Sequence, residues 1–475
     1  MKLLDEWLND LLQQDYLDDK KTLFWLLNKS KEMNSDTFTI NEQINYIGSF
    51  DSGIKYIFPE GFKVLQLGIP TSINSGVVKV MLNLNKVFAA NGIIVASINH
   101  WWHRYYFRKF VGTPFEKKVK VELSPFNLLN DKGKCILTQY AFKNIASRLH
   151  SDFKFYPNII HIHTHTFVYD NALDFSLKKY FQGVPVVYTL HAFIPYIRLN
   201  HENRIKLLTN QMTQKELKAV RENYGSKRER AQFDLIKRSD AIITISQVHK
   251  EAFDIIYPEY ADKCFCVPNG TDFDEYNDLK EVYAKKNELQ HLIAPNGEKV
   301  MIYVGRIEAQ KGSQKLIDGF NLAAEKYADL RLVLVGANEQ KLPELLQMGL
   351  NKSFVERIHF AGWIKDKKVL AAYYKLADIM VQPVASKNLY GMAVLESMML
   401  EVPVITCEGK YSFGVTKNAN TILKAVDSLY TQPELVKAHV QRVKEEVIGE
   451  HSLTAMLKKH LEVFEKTTAS LKNKQ

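Results

Sequence analysis

From Lys63 onward the chain alternates short, nearly all-apolar runs with longer stretches in which apolar residues recur every three or four positions. A short apolar run suits a strand buried on both faces, and the longer spacing lines one side of a helix. This pattern predicts strands at Val64–Ile69, Ile93–Ile98, Ile159–His163, Val184–Leu190, Ala241–Ile245 and Lys263–Val267, with a helix from Val77 to Asn91 stopped by Gly92. Asp272–Lys299 is polar and carries Pro295-Asn296-Gly297, so it reads as a structure-poor linker. The rhythm then restarts. Strands are predicted at Val300–Val304, Leu330–Val335, Ile358–Phe360, Ile379–Val381 and Val402–Thr406. Helices are predicted at Gln314–Tyr327, Lys367–Leu376, from near Gly391, and from Asn420 to about Lys472.

Alternating strands and helices of this kind indicate α/β units with parallel sheets, whose ligands sit at the carboxyl ends of the strands. The chain reads as two doubly wound units in tandem, residues 61–280 and 281–475, with the last helices packing back toward the first unit. Residues 1–60 differ. Trp7, Leu8, Leu11, Leu12, Leu23, Trp25 and Leu26 recur at helical intervals, and Thr37–Ile40 suits a short strand, so this part reads as a mostly helical accessory segment.

Composition narrows the class. The 475 residues allow two or three domains, and 46% hydrophobic with 24% charged residues excludes a disordered or collagen-like chain. The net charge of +10 mixes both signs along the chain and permits an anionic partner without requiring one. Cys135, Cys264, Cys266 and Cys407 are too scattered for a disulfide framework; Cys264 and Cys266, two apart on a strand, read as buried thiols. The N-terminus carries acids where a signal peptide needs an apolar stretch, and there is no charge-free apolar run of about 20 residues. A cytoplasmic protein is expected.

The candidate chemistry gathers at two strand ends in the second unit. Val304-Gly305-Arg306 closes a strand, and Lys311-Gly312 opens a helix five residues later. Glycine lets backbone approach a ligand, Arg306 offers a planar fork to phosphate, and Lys311 offers a mobile point charge. In isolation a solvated basic loop would read the same way. The second cluster runs from Asn388 through Gly391 to Met398. Gly391 stands where a loop becomes a helix, so the amides of Gly391, Met392 and Ala393 form an anion site, and Glu396 beyond them can accept hydrogen bonds from two ribose hydroxyls. Together the two clusters would hold a nucleoside diphosphate.

These strings resemble the family-4-type glycosyltransferases of group 1. The resemblance rests on Val304 to Gly312, Ala377 to Pro383, Gly391 to Met398, Asp240 to Ser246 and Val267 to Asp272, and covers roughly residues 63–460. It implies the GT-B architecture, two Rossmann-like domains facing a cleft, and a transferase of the hexosyl or N-acetylhexosaminyl type that retains anomeric configuration. By the same resemblance Arg306 and Lys311 grip the donor diphosphate, with Gly305 and the amides after Gly391 beside it, and Glu396 holds the ribose. The family's second glutamate, on the donor sugar, is here Asn388, an amide that donates as well as accepts. His191, in Tyr188-Thr189-Leu190-His191, falls where the family places a histidine near the reacting centre. Ser75-Gly76 matches the acceptor-side glycine loop with serine for one glycine.

His161, His163 and His165 alternate on one strand and would face one side, a pattern open to a metal. A His-x-His string at this strand also belongs to the family, which implies no metal and no cofactor beyond a nucleotide-sugar, expected to be a UDP-sugar. His100 to Phe110, including Trp101 and Arg104, mixes aromatics and cations and is followed by Lys117, Lys118 and Lys120. It reads as a stretch for acceptor contact, with a partly packed loop or peripheral membrane contact as alternatives. No nucleic-acid motif accompanies it. The acceptor is expected to be a glycan, lipid or polypeptide. A non-catalytic GT-B-like binding partner of an active transferase is the alternative that Asn388 motivates. A phosphorylase lacks support, because no pyridoxal-phosphate lysine motif is apparent.

Overall fold

The computed structural model describes residues 39–41, 61–68, 76–100, 105–111, 116–122, 155–163, 181–273, 279–308, 311–383, 391–406 and 409–472. The chain divides into two compact units, Met1–Val267 with Leu457–Gln475, and Pro268–Met456.

The strands of the first unit are β1 (Thr39–Asn41), β2 (Lys63–Gly68), β3 (Ile94–His100), β4 (Tyr105–Val111), β5 (Glu116–Glu122), β6 (Ile159–Ile162), β7 (Val186–Leu190), β8 (Ala241–Thr244) and β9 (Cys264–Cys266). Among the described residues they form one sheet ordered β1-β5-β4-β3-β2-β6-β7-β8-β9. The six strands from β3 to β9 in that order run parallel. Neighbouring positions such as Ile159, Ile160, Val187, Tyr188, Ile242 and Ile243 are all fully buried, so both sheet faces are covered, as near-continuous apolar runs require. Helix α1 (Gly76–Ala90) follows β2 and ends at Gly92, whose φ of 72° few other residues adopt. Helix α2 (Gln247–Ile256) follows β8, capped by the Ser246 hydroxyl, which accepts from the His249 amide at 3.3 Å.

The second unit begins its regular structure with α3 (Leu279–Ile293) and holds β10 (Lys299–Val304), α4 (Ser313–Lys326), β11 (Leu330–Val335), β12 (Ile358–Gly362), α5 (Lys367–Leu376), β13 (Ile379–Val381), α6 (Met392–Met399), β14 (Val404–Thr406), β15 (Gly414–Val415), α7 (Ala419–Thr431) and α8 (Pro433–His451). Its sheet is parallel throughout, ordered β12-β11-β10-β13-β14-β15. Helix α9 (Leu453–Lys472) closes the described chain, and from Leu457 it counts with the first unit. Among the described residues no helix is long and apolar enough to cross a membrane.

Two sequence expectations are corrected. The supposed linker from Asp272 to Lys299 holds α3, whose Val282 and Ile293 are buried with Leu289 packed beside them. This narrow apolar stripe among lysines and glutamates hid the helix from a composition reading. The aromatic and basic stretch, for which no strand was expected and whose packed alternative was a loop, is a hairpin. β4 pairs antiparallel with β3 and β5, and β1 adds antiparallel to β5, so three strands extend the parallel sheet and residues 39–41 join it. The helices expected in residues 1–38 lie outside the described residues.

Candidate active site

Among the parallel strands of each sheet the order reverses once, and at such a reversal the loops leave in opposite directions and open a crevice beyond the carboxyl ends. In the second unit the reversal falls between β10 and β13; in the first it falls between β2 and β6.

The loop after β10 carries Gly305 and Arg306. The Gly305 amide donates to the Val335 carbonyl at 2.9 Å, and the Gly336 amide to the Gly362 carbonyl at 2.7 Å, so the ends of three adjacent strands are laced together. A Cβ on Gly336, which has φ 94°, would stand 2.6 Å from the Gly305 carbonyl oxygen. The Tyr303 hydroxyl donates to the Arg306 carbonyl at 2.8 Å. Burial, with the charge of Glu308 beside it, pushes the Tyr303 pKa up and keeps it a donor. The Ser313 hydroxyl donates to the Glu308 carbonyl and accepts from the Glu308 amide, both at 3.0 Å. The Arg306 guanidinium, largely exposed, pairs with Glu308 at 2.8 Å. An exposed pair is worth little, so the guanidinium can trade this partner for a bound anion. Lys311 is half-buried one residue before Gly312. Gly312 has φ 75°, and a Cβ there would lie 2.1 Å from the Pro383 carbonyl oxygen, so the loop after β10 rests against the end of β13.

Gly391 leads into α6 with φ −68° and ψ 160°, and the helix has no side-chain cap. Space around Gly391 is open, since a Cβ there meets nothing within 4 Å. Met392 and Glu396 are buried and Ala393 is half-buried. Glu396 accepts a hydrogen bond from the Tyr374 hydroxyl of α5 at 3.2 Å, the partner that a buried carboxylate needs.

In the first unit, Gly76 opens α1 with open space around it. His161 and His163 share one face of the sheet, their ring centroids 4.0 Å apart, and His163 Nδ1 lies 3.0 Å from His191 Nε2. Burial, reinforced by neighbouring imidazoles, holds the pKa of His161 and His163 well below the ordinary histidine value. Among the described residues no three His, Cys, Asp or Glu side chains are grouped to hold a metal ion. Ser75, Trp101, Arg104, His165 and Asn388 lie outside the described residues. Sequence reasoning passed over Gly336, Tyr303, Ser313 and Tyr374, and gave Pro383 no role beyond its place in a family string. Gly336 alone had a signal, a glycine directly after an apolar strand.

A family model described as Glycosyltransferase Family 4 matches residues 74–275, and one described as Glycosyl transferases group 1 matches residues 298–457. The chain belongs to the family-4, group 1 glycosyltransferases. An uncharacterized glycosyltransferase of Methanocaldococcus jannaschii is 25% identical over 237 residues, 47% of this chain. The chain spans 59% of that relative's own length. Among solved structures, sucrose-phosphate synthase from Thermosynechococcus elongatus matches with a TM-score of 0.62 at 17% identity, covering 86% of this chain and 100% of that one. Anabaena HepE in complex with UDP-glucose matches with a TM-score of 0.55 at 14% identity, covering 85% and 99%. Both likenesses establish the fold, and the two doubly wound units of this family member are those of GT-B.

Proposed function

We propose that this protein transfers a hexosyl or N-acetylhexosaminyl group from a nucleotide-sugar, a UDP-sugar, to a glycan, lipid or polypeptide acceptor in the cytoplasm, retaining anomeric configuration. One observation carries the reading: at the strand reversal of the second unit, Arg306 and Lys311 share a loop that Gly312 seats against Pro383, where the segment leading to the uncapped helix at Gly391 begins. Cations and helix amides there suit a diphosphate, and the buried Glu396 suits a ribose. The HepE complex with UDP-glucose supports the choice of nucleotide.

In this reading the bond from the anomeric carbon to the diphosphate oxygen breaks, and an acceptor oxygen bonds to the same face. Charge developing on the leaving diphosphate is stabilised by Arg306, Lys311 and the amides after Gly391, with no metal. Asn388 contacts the donor sugar, His191 lies near the reacting centre, and Ser75, Gly76, Trp101 and Arg104 serve the acceptor. The test is a screen of purified protein against UDP-, GDP- and ADP-sugars, following nucleotide release and thermal stabilisation together. Arg306→Ala and Lys311→Ala should each lower turnover by about 10²–10³ while remaining folded. Near-normal turnover in both would remove the diphosphate assignment. Stabilisation by UDP without any transfer would favour a binding partner of another transferase.

A further inference from the structure

We propose that His163 fixes the tautomer and ring plane of His191, so that the hydrogen of His191 sits on Nδ1 and no basic lone pair remains. His163 directly follows β6 at the strand reversal of the first sheet, and His191 follows the neighbouring β7. The His163 amide donates to the Leu67 carbonyl of β2 at 2.8 Å, which anchors the end of β6 against it. His163 is 3% exposed, and its Nδ1 meets Nε2 of His191 at 3.0 Å with the rings stacked, centroids 5.3 Å apart and planes 29° apart. The other nitrogen of His163, Nε2, is buried without a hydrogen-bond partner.

The position of the hydrogen follows from that asymmetry. A neutral imidazole carries one N–H and one bare nitrogen. Were the hydrogen of His163 on Nε2, a donor would be buried with no acceptor, which folded proteins rarely tolerate; a bare nitrogen there is the lesser cost. The hydrogen therefore sits on Nδ1 and is donated to Nε2 of His191, whose own hydrogen is left on Nδ1. His161 repeats the arrangement: its Nε2 meets the Thr189 hydroxyl at 2.7 Å, and its Nδ1 is buried and unpartnered. Protonating His163 would need an acceptor for the second N–H and would place a cation beside His161, His191 and His460. Burial and those neighbours hold it neutral at pH 7.

His163 is thus a positioning residue. With Nε2 filled, neutral His191 has no bare nitrogen with which to abstract a proton. Only that consequence for transfer rests on the proposed function; the tautomer does not.

The experiment is nitrogen NMR of protein labelled with [15N]histidine, with the His191 resonances assigned by their loss in His191→Gln. In the native protein His191 Nδ1 should resonate as a protonated, pyrrole-like nitrogen and Nε2 as a bare, pyridine-like one. His163→Phe should release the lock and move both resonances toward each other, whereas His163→Asn, which keeps an N–H donor in that place, should preserve the native pattern. A native His191 protonated on Nε2 overturns the proposal even if no variant folds, and so does a folded His163→Phe with unchanged His191 resonances. The spectra are read without turnover, so a protein that transfers nothing still decides the point.

Discussion

Gly312 shows how one residue can be fixed twice over. Its φ of 75° costs an L-residue about 1–2 kcal/mol, and a Cβ would meet the Pro383 carbonyl at 2.1 Å, a backbone atom that cannot swing away. Gly312→Ala should therefore lower stability by about 3 kcal/mol and weaken UDP-dependent stabilisation, because the loop carrying Lys311 must move off β13. Gly349→Ala is the control: its φ is 87°, but its Cβ meets nothing within 4 Å, so only the conformational cost applies. Equal urea midpoints for the two variants would show that the Pro383 contact does not bind the loop. The residue types of the candidate site, Gly305, Arg306, Lys311, Gly391 and Glu396, stand out in the sequence because the chemistry proposed for them is carried by type and spacing. Tyr374 and Ser313 do not, because a tyrosine or serine in a helix gains its role only from the group that another element brings to it.

At the scale of elements, α6 begins with no side-chain cap at its N-terminus, which suits the anion site proposed there. Gly391 has ordinary extended torsions and open space around it, so most side chains fit there. Gly391→Asp should fold at least as well, since aspartate at this position caps a helix slightly better than glycine, by a few tenths of a kcal/mol. Its carboxylate would occupy the same amides that the proposed diphosphate needs. The expected outcome is an unchanged or slightly higher melting temperature with nucleotide stabilisation lost; full retention of UDP binding would show that these amides do not face the ligand. Most strands and helices were readable from periodicity, since each buries a continuous run or a broad stripe. The helix at Leu279–Ile293 and the β4–β5 hairpin were not. The first buries only a narrow stripe, Val282 and Ile293 with Leu289 beside them, and the second is rich in charges that suit an extended edge as well as a loop.

For the whole molecule, buried neutral histidines tie stability to pH. His249 is 1% exposed, and burial, with Arg204 adding to it, lowers its pKa from 6.5 to about 4. The unfolded chain takes up this proton first as pH falls below 6.5, so the stability from a neutral His249 is complete above 6.5 and is lost progressively toward pH 4. That one group accounts for on the order of 3 kcal/mol, and His161 and His163 act in the same direction. Carboxylates such as Glu298, held down at about 2 by the Arg331 guanidinium, act mainly below pH 5. Urea unfolding should show a flat stability above pH 6.5 and a steep fall between 6.5 and 5, shallower in His249→Phe; a flat profile across that range would contradict the buried neutral imidazoles. The sequence by itself determined the class of each unit, the strands at its centre and the charged residues of the two candidate clusters, because apolar periodicity and glycine placement are local properties of the chain. Only the tertiary structure decided that both candidate clusters stand at strand reversals, that Pro383 seats Gly312, and that His163 and His191 meet. Those facts depend on strand order and on contacts between residues far apart in the chain, and no local pattern encodes which strand becomes whose neighbour.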